Sequence, residues 1–148
     1  MTQLTVRPAT AADAAAIQAL YQRVSAAGSG LARSPAEITP EYVGQFLTRR
    51  LQHGVGLVAE EAGTHRVVGE IHASAAGLHI FARVFGHLTV AVDPAFQGQG
   101  LGRRLFATLL ARVREEYPAI ERVELLVRES NAGAIRLYEQ LGFRQEGR

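Results

Sequence analysis

The sequence predicts a mixed α/β domain in which one sheet lies between helices. Three observations carry that prediction. Stretches with strand-like alternation are interleaved with stretches of helical apolar spacing, in the order βααβββαβα. Short turns join the middle three strands, which favours an antiparallel meander and hence a mixed, mostly antiparallel sheet. The 148 residues, 47% hydrophobic and 20% charged, suffice for one compact core. No repeat or composition shift divides the chain, so residues 1–148 are expected to form a single domain.

Leu4-Thr5-Val6-Arg7 alternates apolar and polar residues, and Pro8 closes it as a short strand. Thr10-Ala11-Ala12-Asp13 is a capping box with Asp in place of the usual Glu or Gln. It opens an Ala-rich helix with Ile17, Leu20, Tyr21 and Val24 on one face. Residues Ser25 to Pro35 collect Ser, Gly and Ala and read as a flexible surface loop. Thr39 caps a second helix with Pro40 at its first position; its apolar face is Val43, Phe46, Leu47 and Leu51, and Gly54 ends it.

Three strands follow, at Gly56–Glu60, at Val67–Ala73, and along a stretch best defined from Val84 to Val92 and stopped by Pro94. A long helix from about Gly100 carries Leu101, Leu105, Phe106, Leu109, Leu110 and Val113 at helical spacing and ends before Pro118. Glu121 to Val127 is another strand, and Ala132 to Gln140 a last helix with Gly142 as its stop.

Composition excludes whole chemistries. All 16 basic residues are Arg, and there is no Lys, no Cys and no Trp; Asn131 is the one Asn. Without Cys there is no thiolate nucleophile, disulfide or Cys-ligated metal. Without Lys there is no Schiff base and no Walker-type phosphate loop. The net charge is only +2 and the Arg residues are dispersed, so nucleic acid is not an expected partner. His65, His72, His79 and His87 lie on different segments without a ligand motif, so no metal is expected. No stretch approaches the ~20 apolar residues of a membrane span, and the N-terminus lacks signal-peptide features. No membrane association is expected, and the default setting is cytoplasmic.

The chemistry sits in Val90-Ala91-Val92-Asp93-Pro94-Ala95-Phe96-Gln97-Gly98-Gln99-Gly100-Leu101-Gly102-Arg103-Arg104, a strand, a Gly-rich turn and the start of an amphipathic helix. Glycines at alternate positions leave backbone N–H groups uncovered at the positive end of a helix, a site for phosphate or pyrophosphate. Arg103 and Arg104 add positive charge where a helix prefers acids, which suggests an anion meets them. The dinucleotide fingerprint fails, because it would require Gly at position 103. What remains is Q-x-x-G-x-G, built from Gln97, Gly100 and Gly102.

This segment resembles motif A of the GCN5-related N-acetyltransferase (GNAT) superfamily, R/Q-x-x-G-x-G/A after the fourth strand. Asn131-Ala132-Gly133-Ala134-Ile135-Arg136-Leu137-Tyr138 through Gly142-Phe143 resembles the second signature, N-x-x-A-x-x-L-Y-x-x-x-G-F. Thr5-Val6-Arg7-Pro8-Ala9-Thr10 and Asp13 resemble the family's usual opening. The resemblance covers essentially the whole chain, and implies the acyl-CoA N-acyltransferase fold and transfer of acetyl from acetyl-coenzyme A to an amine.

The resemblance implies that the backbone amides of the turn, across Gln97, Gly98, Gln99, Gly100, Leu101 and Gly102, hold the coenzyme A pyrophosphate; of the Arg residues, Arg103, nearest the turn, is the better candidate to bind the coenzyme A phosphates. It further implies that the fourth strand splays from the fifth, freeing backbone groups near Val90, Ala91 and Val92 for the pantetheine arm. Asn131 reads as a helix cap and, by resemblance, also as a pantetheine contact. Tyr138 is either a packed core Tyr or, as the resemblance implies, the acid that protonates the departing thiolate. Arg104 and Arg136 read as solvated charge.

The general base stays open among Glu70, His72, His87 and water; Glu70 and His72 share one strand face, as do His87, Thr89 and Ala91. The expected acceptor is a primary amine of a small molecule or amino acid, with a peptide or protein N-terminus, or a non-catalytic coenzyme A-binding module, as alternatives. The loop from Ser25 to Ile38 and the segment from Gly77 to Arg83 are expected to shape the acceptor pocket. The family normally continues past Gly142-Phe143 through two more strands, whereas this sequence stops at Arg148. That leaves either a sequence that continues beyond this point or a partner supplying the strand, and a bare edge there favours a homodimer.

Overall fold

The computed structural model describes residues 2–28 and 30–148; Met1 and Ser29, the latter within the expected Ser25–Pro35 loop, lie outside the described residues. The elements are β1 (Leu4–Pro8), α1 (Ala14–Ala26), α2 (Pro40–His53), β2 (Gly54–Glu61), β3 (Val67–Ser74), β4 (Val84–Val92), α3 (Leu101–Glu116), β5 (Arg122–Val123) and α4 (Ala132–Gln140). The order is the expected one, with short 3-10 turns at Ala11–Asp13, Pro35–Glu37, His79–Phe81 and Pro94–Phe96. The sheet runs β1-β2-β3-β4-β5; its first four strands are antiparallel, and β5 joins β4 in parallel.

Each face of the sheet carries its own core. On one face Ile17, Leu20, Tyr21 and Val24 of α1 pack with Val43, Phe46 and Leu47 of α2 over Val58 and Ala91. On the other, Leu101, Leu105, Phe106, Leu109 and Val113 of α3 cover Leu57, Ala59, Ile71 and Phe85. Burying each such side chain contributes about 1.5–3 kcal/mol against leaving it in water. β3 is buried along its whole length because helices cover both of its faces.

Local signals position the helices. Thr39 Oγ1 accepts from the Tyr42 amide at 3.1 Å, capping α2. Asp13 Oδ2 accepts from the Thr10 amide at 2.7 Å, as a capping box requires. The same carboxylate takes Arg7 in a fork at 2.8 and 2.9 Å, and Arg7 reaches Glu60 at 2.7 Å, tying β1, α1 and β2 together. The Arg7 bonds, with the Thr10 amide, hold the Asp13 carboxyl below the usual carboxylate range against the opposing effect of burial.

Three elements depart from the periodicity. Leu51 is 54% exposed, and the α2 face closes instead on buried Arg50, which donates to the Ala9 carbonyl at 2.7 Å. β5 is a two-residue strand, because pairing with β4 stops at Phe85–Val123. β4 contains a bulge: His72 pairs with Thr89 but Ser74 with Gly86, so three residues of β4 answer two of β3. His87 within this bulge adopts φ 49°, which breaks the simple alternation from His87 to Thr89.

Candidate active site

The bulge and the short β5 together open the sheet. Past Phe85–Val123 the last backbone bond between the strands is Glu124 N–H to the Phe85 carbonyl at 2.9 Å. Beyond it β4 continues alone on that side. Asp93 donates its amide to Val68 of β3, so Ala91 and Thr89, of like parity, also turn their backbone groups toward β3. Val90 and Val92 have the opposite parity and turn theirs toward the gap. The Val92 carbonyl is taken by the Gln97 side-chain amide at 3.0 Å, which pins the corner between strand and turn. The gap thus offers an extended ligand a strand edge, the geometry of β-augmentation.

The turn leads from this edge into α3. Gly98 and Gly100 have φ of 74° and 81°, in the left-handed region that favours glycine, and a β-carbon on either would meet open space. Backbone conformation, rather than room, is the requirement at these two positions. At Gly102 the case is reversed: φ is ordinary, and a β-carbon would make normal contacts at 3.9 Å to Val92 and 4.0 Å to Leu137. The first helical bond here is Arg104 N–H to Gly100 O, and no amide from Gly98 to Arg103 makes a well-formed bond to a backbone carbonyl among the described residues. These free donors at the positive end of a 16-residue helix suit a pyrophosphate.

Of the flanking side chains, Gln99 folds back onto the Ala95 carbonyl at 3.3 Å. Buried Leu101 anchors the helix start beneath the turn. Arg103 crosses to Gln140 at the end of α4, whereas Arg104 turns away to the Leu4 carbonyl at 3.2 Å. Arg136 is exposed on α4.

Asn131 caps α4, its Oδ1 accepting from the Ala134 amide at 3.2 Å. A β-carbon on Gly30 would stand 3.5 Å from Asn131 Nδ2, so the α1–α2 loop reaches across to the head of α4. Tyr138 is half-buried on the same helix, its ring 5.2 Å from that of Phe106 and 6.1 Å from that of Phe143. Burial pushes its phenol above the ordinary tyrosine value, so it stays protonated at neutral pH. Its hydroxyl has no side-chain or backbone partner among the described residues.

A cleft of about 100 Å³ opens on the α1–α2 face of β4, lined by Tyr21, Leu31, Ala32, Arg33, Ile38, Tyr42 and Thr89. The α1–α2 loop supplies four of these residues. The segment from Gly77 to Arg83 does not line this cleft; Gly77 borders a shallow groove along α2 instead. Arg33 sits 4.2 Å from the centroid of the Tyr42 ring, a cation–π contact at the wall.

Beneath the cleft lies a polar cluster that the sequence only partly signalled. Glu70 and His72 were expected to share a face; Tyr21 was assigned to the core by its spacing alone. The Tyr21 hydroxyl donates to Glu70 Oε2 at 2.6 Å, and His72 Nδ1 meets Glu70 Oε1 at 2.6 Å. His72 stacks on Phe46 with centroids 4.3 Å apart and planes 8° apart. His87, the other His considered, is exposed in the bulge. No group of His, Asp and Glu suited to a metal ion occurs among the described residues.

A strand edge open to an extended ligand, running into a glycine turn at a helix start, suits a class of protein that binds a long phosphate-bearing ligand. Residues 17–143 match the family described as Acetyltransferase (GNAT) family, and the chain belongs to it. It is 41% identical over 90 residues to a mycothiol acetyltransferase of Thermobispora bispora, a match covering 58% of this chain and 28% of that relative's length. The ribosomal-protein-alanine N-acetyltransferase of Brucella melitensis superposes with a TM-score of 0.81 at 29% identity, over 97% of this chain and 86% of that one. YncA from Salmonella typhimurium, solved with acetyl-CoA as its cofactor, superposes with a TM-score of 0.79 at 27% identity, over 95% and 79% of the two chains. No helix among the described residues is long and apolar enough to cross a membrane.

Proposed function

We propose that residues 1–148 act as one N-acetyltransferase domain that passes the acetyl group of acetyl-coenzyme A directly to a primary amine of a small molecule or amino acid. The observation that carries this reading is the gap between β4 and β5, where β4 lacks a strand partner at Val90 and Val92 and runs into the open glycine turn before α3. The donor supplies an activated acyl carbon. The chain's own groups supply position and charge: the Gly98–Arg103 amides for the pyrophosphate, a β4 backbone N–H to polarise the thioester carbonyl, and Asn131 beside the pantetheine arm.

Tyr138 is the acid that returns a proton to the departing sulfur. Transfer runs through a ternary complex, because the chain has no Cys to carry the acyl group. The small volume of the cleft supports a small amine, and the Brucella relative's name supports a peptide N-terminus as the second reading. A coenzyme A thioester donor implies a cytoplasmic setting. Exposed Leu126 and Val127, just past β5, support association of two copies along that edge.

The test is release of free coenzyme A, followed with dithiobis(nitrobenzoate), across amino acids, polyamines and alanine-ended peptides. Turnover with a small amine supports the first reading, and turnover with peptides alone supports the second. Acetyl-CoA binding without turnover on any acceptor leaves a coenzyme A-binding module, and no binding at all overturns both.

A further inference from the structure

The Tyr21–Glu70–His72 cluster asks for a reason to exist. Glu70 is 1% exposed and His72 4%, in a layer otherwise filled by Phe46, Leu20 and Val43. A buried ion pair is not a cheap way to hold a core together, since apolar residues of similar volume often serve as well or better. Its hydrogen bonds are all satisfied when both neighbours donate to Glu70. Glu70 accepts twice, from Tyr21 Oη on Oε2 and from His72 Nδ1 on Oε1, as an ionised carboxylate does. His72 therefore carries its proton on Nδ1 and presents the lone pair of Nε2.

That nitrogen has no protein partner among the described residues. Every fully enclosed side-chain nitrogen and oxygen among them does have one. Nε2 is therefore not fully enclosed, while Phe46 covers one face of the ring. His72 does not itself line the cleft, but two residues that do connect it there. Thr89 on its wall is the cross-strand partner of His72, and Tyr21 on its wall is bonded to Glu70. Cross-strand partners hold their β-carbons about 4.5–5.5 Å apart, within reach of one amine or one bridging water.

We propose that His72 Nε2 is the general base of this site, taking a proton from an acceptor amine held in the cleft, with Glu70 and Tyr21 as its positioning residues. This rests on the acetyl-transfer reading above. The acceptor enters as an ammonium ion and gives one proton to Nε2. Its freed lone pair forms the C–N bond at the thioester carbonyl as the C–S bond breaks. Tyr138 protonates the thiolate, and the second proton lost from nitrogen restores Tyr138. The proton on His72 returns to solvent, so one amide, one thiol and one proton leave for each ammonium and thioester consumed. Imidazolium formed at His72 is stabilised by Glu70, the orienting logic of a His–carboxylate pair. The titratable or charged groups around this pair and its cleft are Tyr21 from α1, Arg33 from the α1–α2 loop, Tyr42 and Arg50 from α2, and Glu70 from β3 itself; β4 presents only Thr89 and Ala91.

The experiment compares wild type, His72→Gln and Tyr21→Phe between pH 6 and pH 10, using the panel acceptor that wild type turns over fastest. His72→Gln is expected to lower kcat/KM at pH 7 by roughly 10²–10⁴-fold, with acetyl-CoA affinity by calorimetry unchanged. The deficit should shrink as the pH nears the amine's own pKa, because bulk solvent then supplies the neutral amine. Tyr21→Phe removes one donor from Glu70, makes that carboxylate more basic, and should move the acid limb of kcat/KM to higher pH with KM little changed.

Wild-type rates in His72→Gln at pH 7, or an equal loss at every pH, overturn the proposal. If His72→Gln no longer binds acetyl-CoA, Tyr21→Phe decides, and an unmoved acid limb overturns it. Wild type that binds acetyl-CoA yet acetylates nothing overturns the transfer reading, and this proposal with it.

Discussion

Arg50 crosses directly over Gly56, its Cδ only 2.2 Å from where a β-carbon on residue 56 would stand and its Nε 2.6 Å away. The glycine is the slot through which α2 sends its one buried cation to the Ala9 carbonyl at 2.7 Å. Burial lowers the Arg50 pKa, while Glu70 and Asp13 in the same layer oppose that shift, so Arg50 balances the two carboxylates. Gly56→Ala is expected to force the guanidinium aside and destabilise the fold by about 1–3 kcal/mol, read as a lower urea midpoint at unchanged m. A midpoint equal to that of wild type would show that Arg50 has an equally good alternative path.

The two glycines of the turn should respond oppositely to a methyl group. Gly100→Ala places a β-carbon on a residue with φ 81°, which costs about 1–2 kcal/mol. If the turn moves to relieve that strain, acetyl-CoA affinity falls by about tenfold. Gly102→Ala meets only ordinary contacts and gains helix propensity, so it should match or exceed wild-type stability and keep its affinity. Calorimetric titration of both variants checks the contrast, and equal losses would contradict it.

Tyr138→Phe should lower kcat by roughly 10²–10⁴-fold while leaving the acetyl-CoA dissociation constant near that of wild type. In wild type, burial raises the phenol above its ordinary value near 10, so the acid stays loaded across the neutral range. Activity should therefore fall on the alkaline side only as the pH passes that raised value. Near-normal turnover in the Phe variant removes Tyr138 from the mechanism.

Asp93 closes β4 with three bonds: Oδ2 takes Arg23 at 2.8 Å and Arg66 at 3.0 Å, and Oδ1 takes the Ala95 amide at 3.0 Å. Burial pushes this carboxyl up, but the Ala95 amide, Arg23 and Arg66 together hold it below the ordinary carboxylate value. A depressed native pKa stabilises the fold above the unfolded value, and that contribution disappears as the pH falls through the native one. Between about pH 4 and pH 2 the wild-type protein should lose stability more steeply than Asp93→Asn. At pH 7 the Asn variant should be less stable by about 1.5–3 kcal/mol, from chemical denaturation at both pH values.

The legible parts of this molecule were those written locally. The Thr39 cap, the Thr10–Asp13 box and the span of β4 all depend on a few adjacent residues, and each stands where its pattern put it. The glycine turn was equally plain, because positive φ selects residue type directly. The β4 bulge was not, since its left-handed residue is His87 rather than Gly, and a bulge only shows when the partner strand is known. Arg50 replaced Leu51 on the buried face because the space it fills belongs to Gly56, a residue on another element. The bond between Tyr21 and Glu70 spans 49 positions, beyond any periodicity.

The gap past Phe85–Val123 has a consequence for the free protein as well as for the bound one. Backbone groups at Val90 that would face a neighbouring strand are left to water, so the apo fold is a sheet lacking one ladder. A ligand that completes the ladder binds the folded chain and not the unfolded one. On the acetyl-transfer reading proposed above, the folding equilibrium becomes a gauge of thioester supply: at a hundredfold excess over the dissociation constant the native state gains about 2.7 kcal/mol, and when the thioester runs low that margin disappears.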